Sequence, residues 1–197
     1  NIWFERTDHT WDESKCIFCK APRQIFDRDD DLETYAYAFI HTEDVQAHID
    51  LMFGEDMKFD VIVGNPPYQM TGGAGGSSDS SIYHLFVDQA KRLDPDLISM
   101  VIPSRWLAGG RGLGEFRKEM LGTRQIMKLV DFPVSKEVFP SVDVKGGICY
   151  FLWSPKHDGN CEVTVTRGGE ALTAERQLDE FDVFVRDPRA ATILQKV

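Results

Sequence analysis

Apolar positions along this chain fall into short runs and stripes that switch between the periods of strand and helix. Phe59-Asp60-Val61-Ile62-Val63 is an apolar run that ends abruptly on Gly64-Asn65-Pro66-Pro67-Tyr68. The pattern predicts a buried strand ending at a rigid, exposed turn, because proline cannot donate to a ladder and Pro66 biases Asn65 toward extended backbone. Ser81 to Leu93 carries Ile82, Leu85, Phe86, Ala90 and Leu93 on a helical stripe, with serines as candidate caps. Leu97 to Ile102 predicts a second buried strand, closed by Pro103-Ser104-Arg105-Trp106. Strand, helix and strand at this spacing make a βαβ unit, with parallel strands and a right-handed crossover. Ligands bind outside the carboxyl ends of such strands, where Asn65 and Arg105 both fall.

The pattern continues in both directions. Glu115 to Leu121 predicts a helix, Arg124 to Phe132 a strand, and Ile148 to Trp153 a strand entered from Gly146-Gly147. Cys161 to Thr166 alternates like an antiparallel strand, Gly168-Gly169 is a turn, Phe181 to Arg186 reads as a short strand, and a helix starts at Pro188. Upstream, Leu32 to His41 predicts a helix with His41-Thr42-Glu43-Asp44 as its exit. There are no internal repeats and no heptads. The expected fold class is α/β: a doubly wound, mostly parallel sheet with an antiparallel C-terminal part.

A carboxamide and an aromatic ring held still at the end of a strand suit a flat, polar ligand, hydrogen-bonded at its edge and stacked on its face. An extruded nucleobase is such a ligand. An ordinary strand with a Pro-Pro turn would explain the prolines but not Asn65 and Tyr68 beside them. The tetrapeptide Asn65-Pro66-Pro67-Tyr68 resembles the catalytic motif of amino-methyltransferases that use S-adenosylmethionine, above all the adenine-N6 DNA methyltransferases. The resemblance implies that the Asn65 side-chain oxygen and the Pro66 carbonyl accept hydrogen bonds from the target amino group while Tyr68 stacks on the flipped base. It also implies a place for Asn65 beside the cofactor and a Rossmann-like methyltransferase fold. Withdrawing N–H density toward two acceptors lets the nitrogen lone pair attack an activated methyl in line, with no covalent intermediate.

IVGNPPYQ, SIYHLFVDQAK, MVIPSRWLAGG and VDVKGGICYFLW are together similar to large restriction-modification methylases in which a target-recognition region follows the catalytic domain. That likeness covers residues 58–153. In Val138-Phe139-Pro140 it implies a second base-stacking ring at Phe139; a core phenylalanine is the alternative. It divides the chain into an acidic segment at 1–57, a catalytic core at 58–155 and an extension at 156–197 leading to a recognition domain. Protein-glutamine and RNA methyltransferases share the tetrapeptide and stand as rivals, as does a non-catalytic DNA-binding or subunit-docking fragment. Cysteine-based C5 methylation is disfavoured, since no cysteine follows a proline at a strand end to act as nucleophile.

The resemblance also implies a Gly-rich cofactor turn and an acidic residue upstream of the catalytic strand. Neither is present before Phe59. The runs Gly72 to Gly76 and Gly109 to Gly114 follow that strand instead, without the phosphate-cradling spacing, and read as loops. Asp44 is the acidic residue nearest in position to a cofactor role. The chain opens on Asn1, so it reads as a fragment lacking its cofactor half, truncated at the N-terminus and inactive on its own.

Composition refines the picture. At 197 residues and 42% hydrophobic the chain can bury one core, and no apolar stretch approaches the roughly 20 residues of a membrane span. No signal pattern is seen, so a cytoplasmic location and no membrane partner are expected. The net charge of −10 is uneven: residues 1–60 hold 6 Lys and Arg against 15 Asp and Glu, whereas residues 104–145 hold 8 against 5. The basic stretch flanks the catalytic loop, with Arg105, Arg111 and Lys145 as candidate contacts to double-stranded DNA. Solvated helix-face charge is the equal reading for Arg117, Lys118 and Lys128. Restriction or specificity subunits are the other expected partners.

Four cysteines do not make a disulfide framework here. Cys16-Ile17-Phe18-Cys19 has zinc-knuckle spacing, but a structural site needs four ligands; His9 or upstream cysteines could complete it. Cys149 and Cys161 read as core.

Overall fold

A computed structural model describes residues 10–20, 23, 35–70, 80–109, 112–141, 143–181, 183–194 and 196. In chain order its strands are β1 (Trp11–Asp12), β2 (Lys15–Cys16), β3 (Val61–Gly64), β4 (Gln69–Met70), β5 (Ser80–Ser81), β6 (Leu97–Pro103), β7 (Ile126–Phe132), β8 (Ile148–Trp153), β9 (Cys161–Arg167) and β10 (Glu170–Arg176). The helices are α1 (Val45–Phe53), α2 (Tyr83–Arg92), α3 (Gly114–Gly122) and α4 (Pro188–Leu194), joined by 3-10 turns at Tyr35–Ile40, Ser104–Ala108 and Ser135–Glu137. The chain divides into two compact units, one of residues Asn1–Phe59 and Pro66–Pro95, the other of Asp60–Asn65 and Asp96–Val197.

The second unit is built on one six-stranded sheet in the order β10-β9-β7-β8-β6-β3. β3 runs parallel to β6 and β7 parallel to β9, while β8 is antiparallel to both of its neighbours and β10 to β9. Four strands therefore share a direction; the expected antiparallel C-terminal strand, β9, is antiparallel to β10 but parallel to β7, and the reversed β8 lies inside the sheet. Strand β6 buries Ile98, Met100 and Ile102, and β8 buries Cys149, Phe151 and Trp153. Leu129, Val163 and Ile126 add to the same core, an apolar filling that drives the sheet out of water. The 3-10 turn after β6 buries Trp106, whose ring meets Phe116 of α3 edge-on at 5.7 Å.

Strand β3 departs from expectation. Val61 is 51% and Val63 76% exposed, so the strand is not buried on both faces. Among the described residues it pairs only with β6, at the margin of the sheet, and an apolar run carries no mark separating a margin from a centre.

The C-terminal part also differs from its reading. The Gly168-Gly169 turn is there, with φ of 62° and 80°, the left-handed pair that a two-residue hairpin requires. It connects β9 to a strand, β10, that sequence patterning missed. Phe181 to Arg186 is not a strand: Val183 is exposed, and the Val185 carbonyl accepts from Arg176 instead of from a ladder. Arg176 also pairs with Glu180 and lies over the Phe184 ring at 5.1 Å, so this stretch is held by one buried side chain.

In the first unit, β1 and β2 form a two-stranded hairpin with Trp11 opposite Cys16. The helix expected at Leu32 to His41 is a 3-10 turn over Tyr35–Ile40 where described, and the α-helix comes after it, at α1. The serines before α2 do not cap it; Ser80 and Ser81 pair with Met70 and Gln69, and Ile82 occupies the cap position without a side-chain bond. The glycines at 72–76 lie outside the described residues. Among the described residues no helix is long and apolar enough to cross a membrane.

Candidate active site

Because β3, β6 and β7 run the same way, their carboxyl ends and the start of β8 share one edge of the sheet. Asn65 sits there, exposed, directly after Gly64. Arg105 follows β6 and is exposed; Lys145 is exposed in the turn that enters β8. The Lys145-Gly146 turn rests on Arg105, since a Cβ at Gly146 would lie 3.8 Å from the Arg105 Cα. The sheet thus brings Asn65, Arg105 and Lys145 to one edge, while Arg111 lies outside the described residues. Pro66 is the first residue of the other unit and is buried, Pro67 and Tyr68 are half-buried, and the Tyr68 carbonyl accepts from the Ile82 N–H at 3.2 Å. Pro66 and Pro67 each have a ring-fixed φ.

A buried polar network underlies this edge. Ser104 and Asp131 are both fully buried, and the Ser104 hydroxyl donates to Asp131 Oδ1 at 2.5 Å. Arg186 places Nε 3.3 Å from Asp131 Oδ2 and donates through Nη2 to the Gly146 carbonyl at 2.7 Å. The Ser104 N–H donates to the Gly147 carbonyl at 3.0 Å. One carboxylate therefore ties together the ends of β6 and β7, the turn before β8 and the C-terminal tail. Gly147 is required as glycine: its φ is +89°, and a Cβ would stand 2.2 Å from the Phe132 carbonyl oxygen. Burial pushes the Asp131 carboxyl above its ordinary range, against the pull of Arg186 and the Ser104 hydroxyl. Burial also pushes the neighbouring Cys149 thiol up to about 12, with the Asp131 charge adding to it.

Ser135 anchors the next loop. Its carbonyl accepts from Val138 and Phe139, and its hydroxyl accepts from the Val144 N–H at 2.8 Å. Phe139 is half-buried, outside the fully buried core, on a segment pinned at both ends by one serine. Sequence reasoning missed Ser104, Asp131, Ser135 and Arg186. The available signal was Asp131 itself, a carboxylate closing an otherwise apolar strand run.

In the first unit, Asp44 caps α1, its Oδ1 accepting from the Ala47 N–H at 2.9 Å. A depression of about 440 Å³ nearby is lined by residues including Phe18, Ile40, Thr42, Glu43, Asp88 and Arg92, and Asp44 is not among them. Cys16 and Cys19 are buried and lie beside His41.

Residues 1–139 match the family model described as Eco57I restriction-modification methylase. A Mycoplasma pneumoniae protein described as an uncharacterized adenine-specific methylase is 34% identical over 158 residues, 78% of this chain and 37% of that protein. The chain thus spans a little over a third of that relative's length. Among solved structures, the type I restriction-modification methyltransferase subunit from Streptococcus thermophilus aligns with 79% of this chain and 34% of its own, at 16% identity and a TM-score of 0.44. The type IIG restriction endonuclease BpuSI aligns with 62% and 19%, at 18% identity and a TM-score of 0.42. The match to the family model over most of the chain, and the identity to the Mycoplasma protein, show the family: this chain belongs to the Eco57I restriction-modification methylase family.

Proposed function

We propose that this chain is the target-base half of an adenine-N6 DNA methyltransferase from a restriction-modification system, acting on double-stranded DNA in the cytoplasm. The observation that carries the reading is Asn65-Pro66-Pro67-Tyr68 at the carboxyl end of β3, with Asn65 exposed beside the basic Arg105 and Lys145 edge. The family and the adenine-specific description of the Mycoplasma relative support it.

The chemistry follows from the residues. The Asn65 carboxamide oxygen and the Pro66 carbonyl accept from the adenine amino group, drawing N–H density away and freeing the nitrogen lone pair. The prolines hold both acceptors in place before the base arrives, so little ordering is left to the transition state. Tyr68 stacks on the extruded base, and Phe139 is the candidate for a second stacking ring. Arg105 and Lys145 meet backbone phosphates and add affinity that falls with salt. S-adenosylmethionine supplies a methyl activated by its sulfonium. The residues present fit the amino-group side of that reaction. Asn65 and Asp44 are the candidates for the cofactor side, and Asp44 also caps α1 through one carboxylate oxygen. Restriction or specificity subunits are the expected protein partners.

The test is methyl transfer from labelled S-adenosylmethionine to unmethylated DNA by the full-length parent protein, followed by nucleoside analysis. Label in N6-methyladenine supports the reading; label in protein or RNA, or none, overturns it. In the same assay Asn65→Ala lowers kcat by about 100-fold or more with little change in cofactor affinity.

A further inference from the structure

We infer that Cys16, Cys19 and His41 form a structural zinc site that staples the amino-terminal hairpin to the segment entering α1. The three residues come from separate places: Cys16 from β2, Cys19 from the turn after it, and His41 from the end of the 3-10 turn at Tyr35–Ile40. Their exposures are 0%, 3% and 5%, and their ligand atoms all lie within 4.8 Å of one another. His41 Nε2 is 3.2 Å from Cys19 Sγ. Tetrahedral zinc, with Zn–S of about 2.3 Å and Zn–N of about 2.0 Å, sets its donors roughly 3.5–3.8 Å apart. The observed cluster needs adjustments of about an ångström or less to meet that geometry.

The local backbone is shaped for it. Ile17 donates to the Thr10 carbonyl at 2.9 Å and Lys20 to the Cys16 carbonyl at 3.0 Å, so the two cysteines sit on one tight turn. Lys20, directly after Cys19, takes the left-handed φ of 61°. Phe18 backs the imidazole at 6.2 Å.

The competing account is a small apolar core in which two thiols act as hydrophobes and the imidazole bonds to one sulfur. Ile40, Ile82 and Phe86 do pack around the cysteines. That account explains the burial, but not why two sulfurs and an imidazole nitrogen, from segments 22 residues apart, converge while apolar side chains form the surrounding wall. Soft thiolate with imidazole selects zinc over calcium or magnesium. Both thiols lose their protons to solvent on binding, and Nε2 ligates with its proton moved to Nδ1. Burial marks the site as structural. These three donors leave one position of a tetrahedral site for water.

The test uses the full chain purified without chelator or a histidine tag, with zinc measured by mass spectrometry and then replaced by cobalt. About one zinc per chain is expected, with a thiolate-to-cobalt charge-transfer band in the near ultraviolet and intense visible bands. The double variant Cys16→Ser, Cys19→Ser loses the metal and the band. His41→Ala weakens zinc binding more than about tenfold in competition with a chromophoric chelator. A wild-type chain that is folded by circular dichroism, holds no zinc and gives no charge-transfer band at saturating cobalt overturns the inference. So does equal zinc content in all variants.

Discussion

In the six-stranded unit, Asp131 is buried with a hydroxyl on one oxygen and a guanidinium on the other; in the other unit, Cys16, Cys19 and His41 are buried with their donor atoms turned toward one another. Burying a polar or charged group is costly unless it is compensated, and the two units compensate differently. Around Asp131 the sequence supplies the cation and the donor itself. Ser104, Arg186 and the Gly146 and Gly147 carbonyls then lock the carboxyl edge where Asn65, Arg105 and Lys145 sit. Around the cysteines the donor set is soft and convergent, which on our inference calls for a cation from outside the chain. On these two proposals the clusters have separate roles: one stiffens the carboxyl edge, and the other holds a small module together.

The sharpest way to break the first half of this comparison is Gly147→Ala. The added Cβ meets the Phe132 carbonyl at 2.2 Å and Pro133 at 2.8 Å, on a residue already at φ +89°. Positive φ on a residue with a Cβ and a backbone clash together cost about 3 kcal/mol, and the Ser104 N–H bond to the Gly147 carbonyl is lost with them. Urea denaturation of the full chain is expected to show a transition moved well below that of wild type. Gly168→Ala, equally left-handed but with open space around its Cβ, serves as the control and loses only the conformational part. Equal losses in the two variants would mean that the edge is not packed as described.

A second, smaller effect sharpens the contrast between the cysteines. Burial pushes the Cys149 and Cys161 thiols up to about 12, so at pH 8 only about one in ten thousand of each is the reactive thiolate. In the folded chain both should resist iodoacetamide for hours. Adding a strong chelator should open Cys16 and Cys19 to labelling while Cys149 and Cys161 stay protected, as read by peptide mass spectrometry. Labelling of all four at one rate would erase the distinction between the units.

What could be read from the sequence follows the range of the interactions. Strands β6, β7 and β8 were legible because a run of apolar residues between Gly and Pro punctuation is a local signal. The exposed faces of Val61 and Val63 were not, because whether β3 lies at a margin depends on partners far away in sequence. The Tyr35–Ile40 turn was read as a longer helix since apolar spacing does not separate 3-10 from α. The tetrapeptide at Asn65 was legible because its side chains and its rigid turn are contiguous. The network beneath it was not, since Arg186 reaches Ser104 across 82 residues; nor, in the other unit, was the contact of His41 with Cys19 across 22. In both clusters one member was conspicuous, Asp131 in an apolar strand and the Cys16-x-x-Cys19 pair, while its partners were ordinary residues in loops.

The smallest effect tests whether Asp131 is balanced as described. Its folded-state carboxyl is raised, chiefly by burial, so the folded chain holds that proton more tightly than the unfolded chain does. Its contribution to stability is therefore complete below the ordinary carboxylate range and is lost as pH rises through the raised value, the reverse of a carboxylate stabilised by a salt bridge. Subtracting the pH profile of Asp131→Asn from that of wild type removes the other carboxylates, which titrate in both, and leaves this one. The difference should decline as pH rises above the ordinary carboxylate range and then flatten. Arg186 is the largest influence opposing the shift, so Arg186→Gln should move the decline to higher pH. A difference profile that rises with pH would mean that the Arg186 charge outweighs burial, and that the carboxyl edge is held by an ordinary ion pair rather than by a desolvated one.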